Sequence, residues 1–64
     1  MLTKREEEVL RLIARGYTIT EIASKLDIGT STVETHRFHA LKKLGLRSRA
    51  DIVTYALQQG WLSE

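Results

Sequence analysis

His36 and His39 stand three residues apart, close enough on a helix to share a metal ion. A zinc site needs about four ligands, and the chain has no cysteine and no third histidine. No metal or other cofactor is therefore expected. Catalysis is not expected either. The acids are scattered, no serine, histidine and acid form a set, and no glycine-rich phosphate loop occurs. The chemistry that the residue types do support is recognition of a polyanion. Arg37, Lys42, Lys43, Arg47 and Arg49 fall in a stretch without a single acid, whereas residues 1–36 carry five Lys or Arg against six Asp or Glu. A basic block inside a chain of net charge +2 is how a phosphate-facing surface looks in sequence. On charge alone, a solvated surface face is the alternative.

The residues around that block share a helix. With Val33 as origin and about 100° per residue, Val33, Arg37, Ala40, Leu41 and Leu44 fall within one arc, the expected core face. Arg37 can pack its stem along the edge of that arc and keep its head in water. Glu34, Thr35, Phe38, His39 and Lys42 lie opposite, with His36 and Lys43 on a flank. A helix of this diameter fits the major groove of double-stranded DNA. Thr35 and Phe38 can touch thymine methyls there, and Glu34 can accept from a cytosine amino group. Thr30, Ser31 and Thr32 offer hydroxyls and free N–H groups to phosphate. The plainer alternative makes Phe38 an exposed aromatic and the hydroxyls simple caps.

Start and stop signals define the elements that hold these residues. Thr3-Lys4-Arg5-Glu6 and Thr18-Ile19-Thr20-Glu21 are capping boxes, and Ser48-Arg49-Ala50-Asp51 is a weaker version. Gly16-Tyr17, Gly45-Leu46 and Gly60-Trp61 each set glycine before an apolar residue, the pattern of a helix end whose next residue folds back on the last turn. Tyr17 should meet Leu12, Leu46 should meet Leu41, and Trp61 should meet Ala56. These signals predict helices near 4–15, 19–26, 30–44 and 49–59. Asp27, Ile28 and Gly29 alone separate the second and third, a glycine-containing turn of the helix-turn-helix kind. A generic three-helix bundle can carry the same pattern. The expected architecture is all-α, a four-helix bundle-like domain containing a helix-turn-helix.

Size sets further bounds. A chain of 64 residues is one domain and buries only about 60% of the surface its unfolded form exposes. No apolar run approaches the roughly 18 residues of a membrane span, and no signal peptide opens the chain. A cytoplasmic location and no membrane partner are expected. On the fourth helix, Val53, Ala56 and Leu57 share one arc expected to face inward. Ile52, Tyr55 and Gln59 form a second stripe expected to make a weak two-fold contact, unless Ile52 simply edges the core.

Leu2-Thr3-x-Arg5-Glu6-x-x-Val9-Leu10, Gly16 followed by Glu21-Ile22-Ala23-x-x-Leu26, and Thr32-Val33-Glu34-Thr35-His36-Arg37 with Lys43-Leu44-Gly45-Leu46 together resemble the LuxR-type helix-turn-helix domain. The nearest resemblance is to the C-terminal output domains of NarL/FixJ-type response regulators. It runs from Leu2 to Leu62. It implies a four-helix DNA-binding domain of a transcriptional regulator that reads its site through the third helix and dimerises through the fourth. By position, Glu34, Thr35 and Phe38 match the family's base-reading sites. Thr32, His36 and Lys43 match positions that meet the DNA backbone or brace the recognition helix. An N-terminal receiver domain is implied in the full-length protein, and RNA polymerase is a further candidate partner. No receiver sequence is present, which reads as an excised domain or a stand-alone regulator. Gly29 stands where the family usually has a serine cap, and Ile19 where a polar residue is usual. A small helical protein-interaction module is the rival reading.

Overall fold

The computed structural model describes residues 1–63. It holds four helices: α1 (Lys4–Ala14), α2 (Ile19–Leu26), α3 (Thr30–Leu44) and α4 (Arg49–Gln58), with no strand among the described residues. Three of them begin where the sequence offers a capping box. The hydroxyls of Thr3, Thr18 and Ser48 accept the backbone N–H three residues on, and Glu6, Glu21 and Asp51 accept the cap's own N–H in return. Each such cap is worth about 1 kcal/mol. α3 differs: Gly29 precedes it and no side chain caps its first turn.

All four helices end alike. The N–H groups of Tyr17, Ile28, Leu46 and Trp61 reach back to the carbonyls of Leu12, Ala23, Leu41 and Ala56 at 2.9–3.1 Å. This closure needs a residue of positive φ just before the returning N–H. Gly16, Gly45 and Gly60 supply it at three ends, and Asp27, at φ 56°, supplies it at the end of α2. The turn from α2 to α3 is therefore Asp27-Ile28-Gly29, as expected for a helix-turn-helix. The helices end one residue sooner than expected at Ala14 and Gln58, where Arg15 and Gln59 serve as C-caps.

α1 is the centre of the molecule and packs on the other three helices. Val9, Leu10 and Ile13 of α1 are buried against Ile22 and Ala23 of α2, Val33, Ala40 and Leu41 of α3, and Ile52 and Ala56 of α4. Each large aliphatic side chain buried this way contributes about 1.5–3 kcal/mol. Ala23 is small and buried, which lets α3 approach α2 closely. Ile19 is half-buried and packs against the core edge rather than standing free.

The orientation of α4 corrects the sequence reading. Ile52 is 0% exposed and lies in the core, while Leu57 is 62% exposed and Val53 only half-buried. Tyr55 packs against the core and meets Trp61 edge-on, with ring centroids 5.4 Å apart. Ile52 and Tyr55 are thus on the inward side, and of the expected outward stripe only Gln59 is exposed. The cause is the chain's return after Gly60. It folds Trp61 back under α4, where Arg11 of α1 stacks on its ring at 4.8 Å and Arg15 donates to its carbonyl. That closure draws the Ile52–Tyr55–Ala56 side inward. Ala50, Val53, Thr54 and Leu57 are left on the outer side.

Candidate nucleic-acid interface

α3 is held by its Val33–Ala40–Leu41 side, so its opposite side projects from the molecule. Glu34, Thr35, Phe38, His39 and Lys42 are all exposed there, and Phe38 keeps 60% of its surface in solvent. Solvating that ring is unfavourable, since burial of an aromatic side chain is worth about 1.5–3 kcal/mol. Two neighbours partly shield it. His39 tilts against it at 5.8 Å between centroids, and the Lys42 ammonium lies 6.0 Å from its centroid, one turn on. An apolar ring with a cation beside it suits a surface offering a methyl group next to phosphate.

Thr35 donates its hydroxyl proton to the Ser31 carbonyl at 3.0 Å. Its oxygen remains able to accept from a base amino group. Glu34 is exposed and has no ion pair among the described residues. It shares the rim of a cleft of about 330 Å³ with Ile13, Ile19, Arg37, Arg49 and Ile52. Thr30, Ser31 and Thr32 are exposed around the uncapped first turn. His36 and Arg37 are half-buried on the flanks. The structure therefore brings Glu34, Thr35, Phe38 and Lys42 onto one face, with the three hydroxyl residues at its N-terminal end.

The basic block is less uniform than its sequence suggests. Arg49 donates to the Ile13 carbonyl at 3.0 Å and ties α4 to the end of α1. Lys43 donates to Glu6 Oε1 at 2.8 Å and to the Met1 carbonyl at 3.3 Å. An acid distant in sequence thus meets Lys43 and makes it a brace between α3 and α1, one of the two roles that the resemblance implies for this position. Glu6 is the one buried charged residue among those described, at 4% exposure. Its carboxyl is held below the usual carboxylate range by the Lys43 hydrogen bond and then by the Thr3 N–H, against the opposing effect of burial. Arg37, Lys42 and Arg47 are the cations of the block without a side-chain hydrogen bond or ion pair among the described residues. The role of Glu6 escaped the sequence reading, which saw it only as a cap. The Phe38–Lys42 contact was legible in its four-residue spacing.

A short turn joining two helices, the second presenting a polar and aromatic face beside free cations, defines a helix-turn-helix domain. Residues 1–56 match the family described as bacterial regulatory proteins, luxR family, and the chain belongs to that family. It is 51% identical over 59 residues to the oxygen regulatory protein NreC of Staphylococcus aureus (strain JH9), covering 92% of this chain and 27% of that protein. The same figures hold for NreC of strain USA300. The solution structure of the DNA-binding domain of the Erwinia amylovora RcsB protein matches with a TM-score of 0.79 at 38% identity, over 88% of this chain and 64% of that one. The chain spans about a quarter of the length of the curated relatives it matches.

Proposed function

We propose that this chain is a sequence-specific double-stranded-DNA-binding domain of a transcriptional regulator, with α3 lying in the major groove. The exposed Glu34–Thr35–Phe38–Lys42 face supports the reading most directly: it joins a hydrogen-bond acceptor, an apolar ring and a cation on a helix anchored from behind. In its full setting a receiver domain stands N-terminal to it, a reading supported by the much greater length of its relatives. Two copies bind paired half-sites and touch through the outer side of α4, where Ala50, Val53 and Leu57 are the apolar residues left uncovered by the core. Electrophoretic shift of mixed-sequence DNA at several salt concentrations tests the reading. With Arg37, Lys42 and Arg47 each meeting one phosphate, log affinity falls with log salt at a slope of about −3 per subunit. A slope near zero would leave a protein-interaction module as the better account. Selection of bound sites from random DNA then supplies the operator.

A further inference from the structure

Lys43 sits among cations that would suit phosphate, yet its charge is met inside the protein. One oxygen, Glu6 Oε1, accepts both the Lys43 ammonium at 2.8 Å and the Thr3 N–H at 2.9 Å. The side chain that carries it is only 5% exposed, and Lys43 Nζ also donates to the Met1 carbonyl. A single buried oxygen thus joins the N-cap of α1 to the last turn of α3. Moving Lys43 to a phosphate would leave that carboxylate buried and without its counter-charge, which is strongly unfavourable.

We propose that Glu6 and Lys43 are positioning residues for DNA recognition. They pin the last turn of α3 to α1 and so set the angle at which Glu34, Thr35 and Phe38 present themselves, while Lys43 makes no phosphate contact. This rests on the DNA-binding reading. The lever is long. Nine residues of helix separate Glu34 from Lys43, about 13 Å. A tilt of about 10° at Lys43 moves Glu34 by roughly 2 Å, beyond what a base-edge hydrogen bond tolerates. Phosphate contacts on flexible cationic side chains follow such a tilt easily. Loss of the pair therefore affects discrimination between sequences more than general affinity.

The test compares a selected-site duplex with a mixed-sequence duplex across a salt series, at a temperature where circular dichroism shows each variant folded. Glu6→Gln keeps an oxygen for the Thr3 N–H and removes only the charge. Glu6→Gln and Lys43→Gln should each lower the ratio of selected-site to mixed-sequence affinity by about three- to tenfold, with the salt slope of the parent. The double variant should be no worse than either single one, and Lys43→Arg should keep the parent ratio. Val9→Ala, a core change one turn further along the buried side of α1, controls for lost stability and should leave the ratio alone. The proposal is overturned if Lys43→Gln flattens the slope by about one on both duplexes, if Glu6→Gln leaves the ratio unchanged, or if Val9→Ala lowers it equally. Absence of salt-dependent binding by the parent itself would instead remove the DNA-binding reading.

Discussion

On the proposed reading α3 lies in the groove, where a carboxylate is an unusual choice beside a polyanion, and Glu34 is exposed with no cation paired to it among the described residues. An acid near a helix N-terminus gains about 0.3–1 kcal/mol from the helix dipole. α3 has no acid in its first turn, however, and Glu34 lies beyond that turn. A carboxylate accepting from a cytosine amino group discriminates between bases by about 1–3 kcal/mol, the larger effect. Glu34→Ala should therefore raise affinity for mixed-sequence DNA, lower preference for the selected site and leave the salt slope in place. Preserved preference with a lower melting temperature would make Glu34 a helix stabiliser instead. Glu6 gives a second expectation at this scale. Its folded carboxyl titrates below the ordinary range because Lys43, then the Thr3 N–H, favour the charged form. The unfolded chain thus binds more protons as pH falls through the ordinary carboxylate range. The pair's stabilisation is complete above that range and is lost as pH falls towards the depressed folded value. Urea midpoints should drop more steeply with acid for the parent than for Glu6→Gln. Parallel curves would show that the pair contributes no pH-dependent stability.

At the scale of elements, the ends of the helices were legible because their signals are local. Thr3 with Glu6, and Leu12 with Tyr17, lie within five residues of each other; the capping box expected at the start is formed, and at the end the Tyr17 N–H returns to the Leu12 carbonyl. The end of α2 carried no glycine, and there the chain places Asp27 in the left-handed region at φ 56°. Such a backbone costs about 1–2 kcal/mol for a residue with a Cβ, partly offset for Asp by local hydrogen bonding and by the greater unfolded freedom of glycine. Asp27→Gly should therefore stabilise the domain by about 0.5–1 kcal/mol, a rise of a few degrees in melting temperature. An unchanged or lower melting temperature would mean that the Asp27 side chain stabilises the turn in its own right. The outward face of α3 was legible for a related reason, since Val33, Ala40 and Leu41 mark its inward side. The partner of Lys43 was not, because Glu6 lies 37 residues away and nothing local connects them.

At the scale of the whole molecule, α4 shows where periodicity fails. Ile52, Val53, Tyr55, Ala56 and Leu57 spread apolar groups over an arc of about 200° on a helix of ten residues, so its spacing alone admits two inward faces. The choice is made by tertiary packing, in which Trp61 returns beneath Tyr55 and commits Ile52 to the core. The consequence bears on assembly. Ile52→Glu would bury a charge and unfold the domain, whereas Leu57 is 62% exposed and its substitution should change stability by no more than about 0.5 kcal/mol. A contact made by Ala50, Val53 and Leu57 on each subunit is much smaller than the roughly 1,600 Å² of a standard stable interface. Self-association in solution should therefore be weak. On DNA with two half-sites the second subunit is held at an effective concentration near millimolar, and even a weak contact then raises affinity. Leu57→Glu should leave binding to a single half-site and the melting temperature essentially unchanged, while lowering affinity for the paired site about tenfold or more. It should also abolish the residual self-association seen by equilibrium sedimentation at high concentration. If paired-site affinity survives the change, the two subunits do not meet through the outer side of α4.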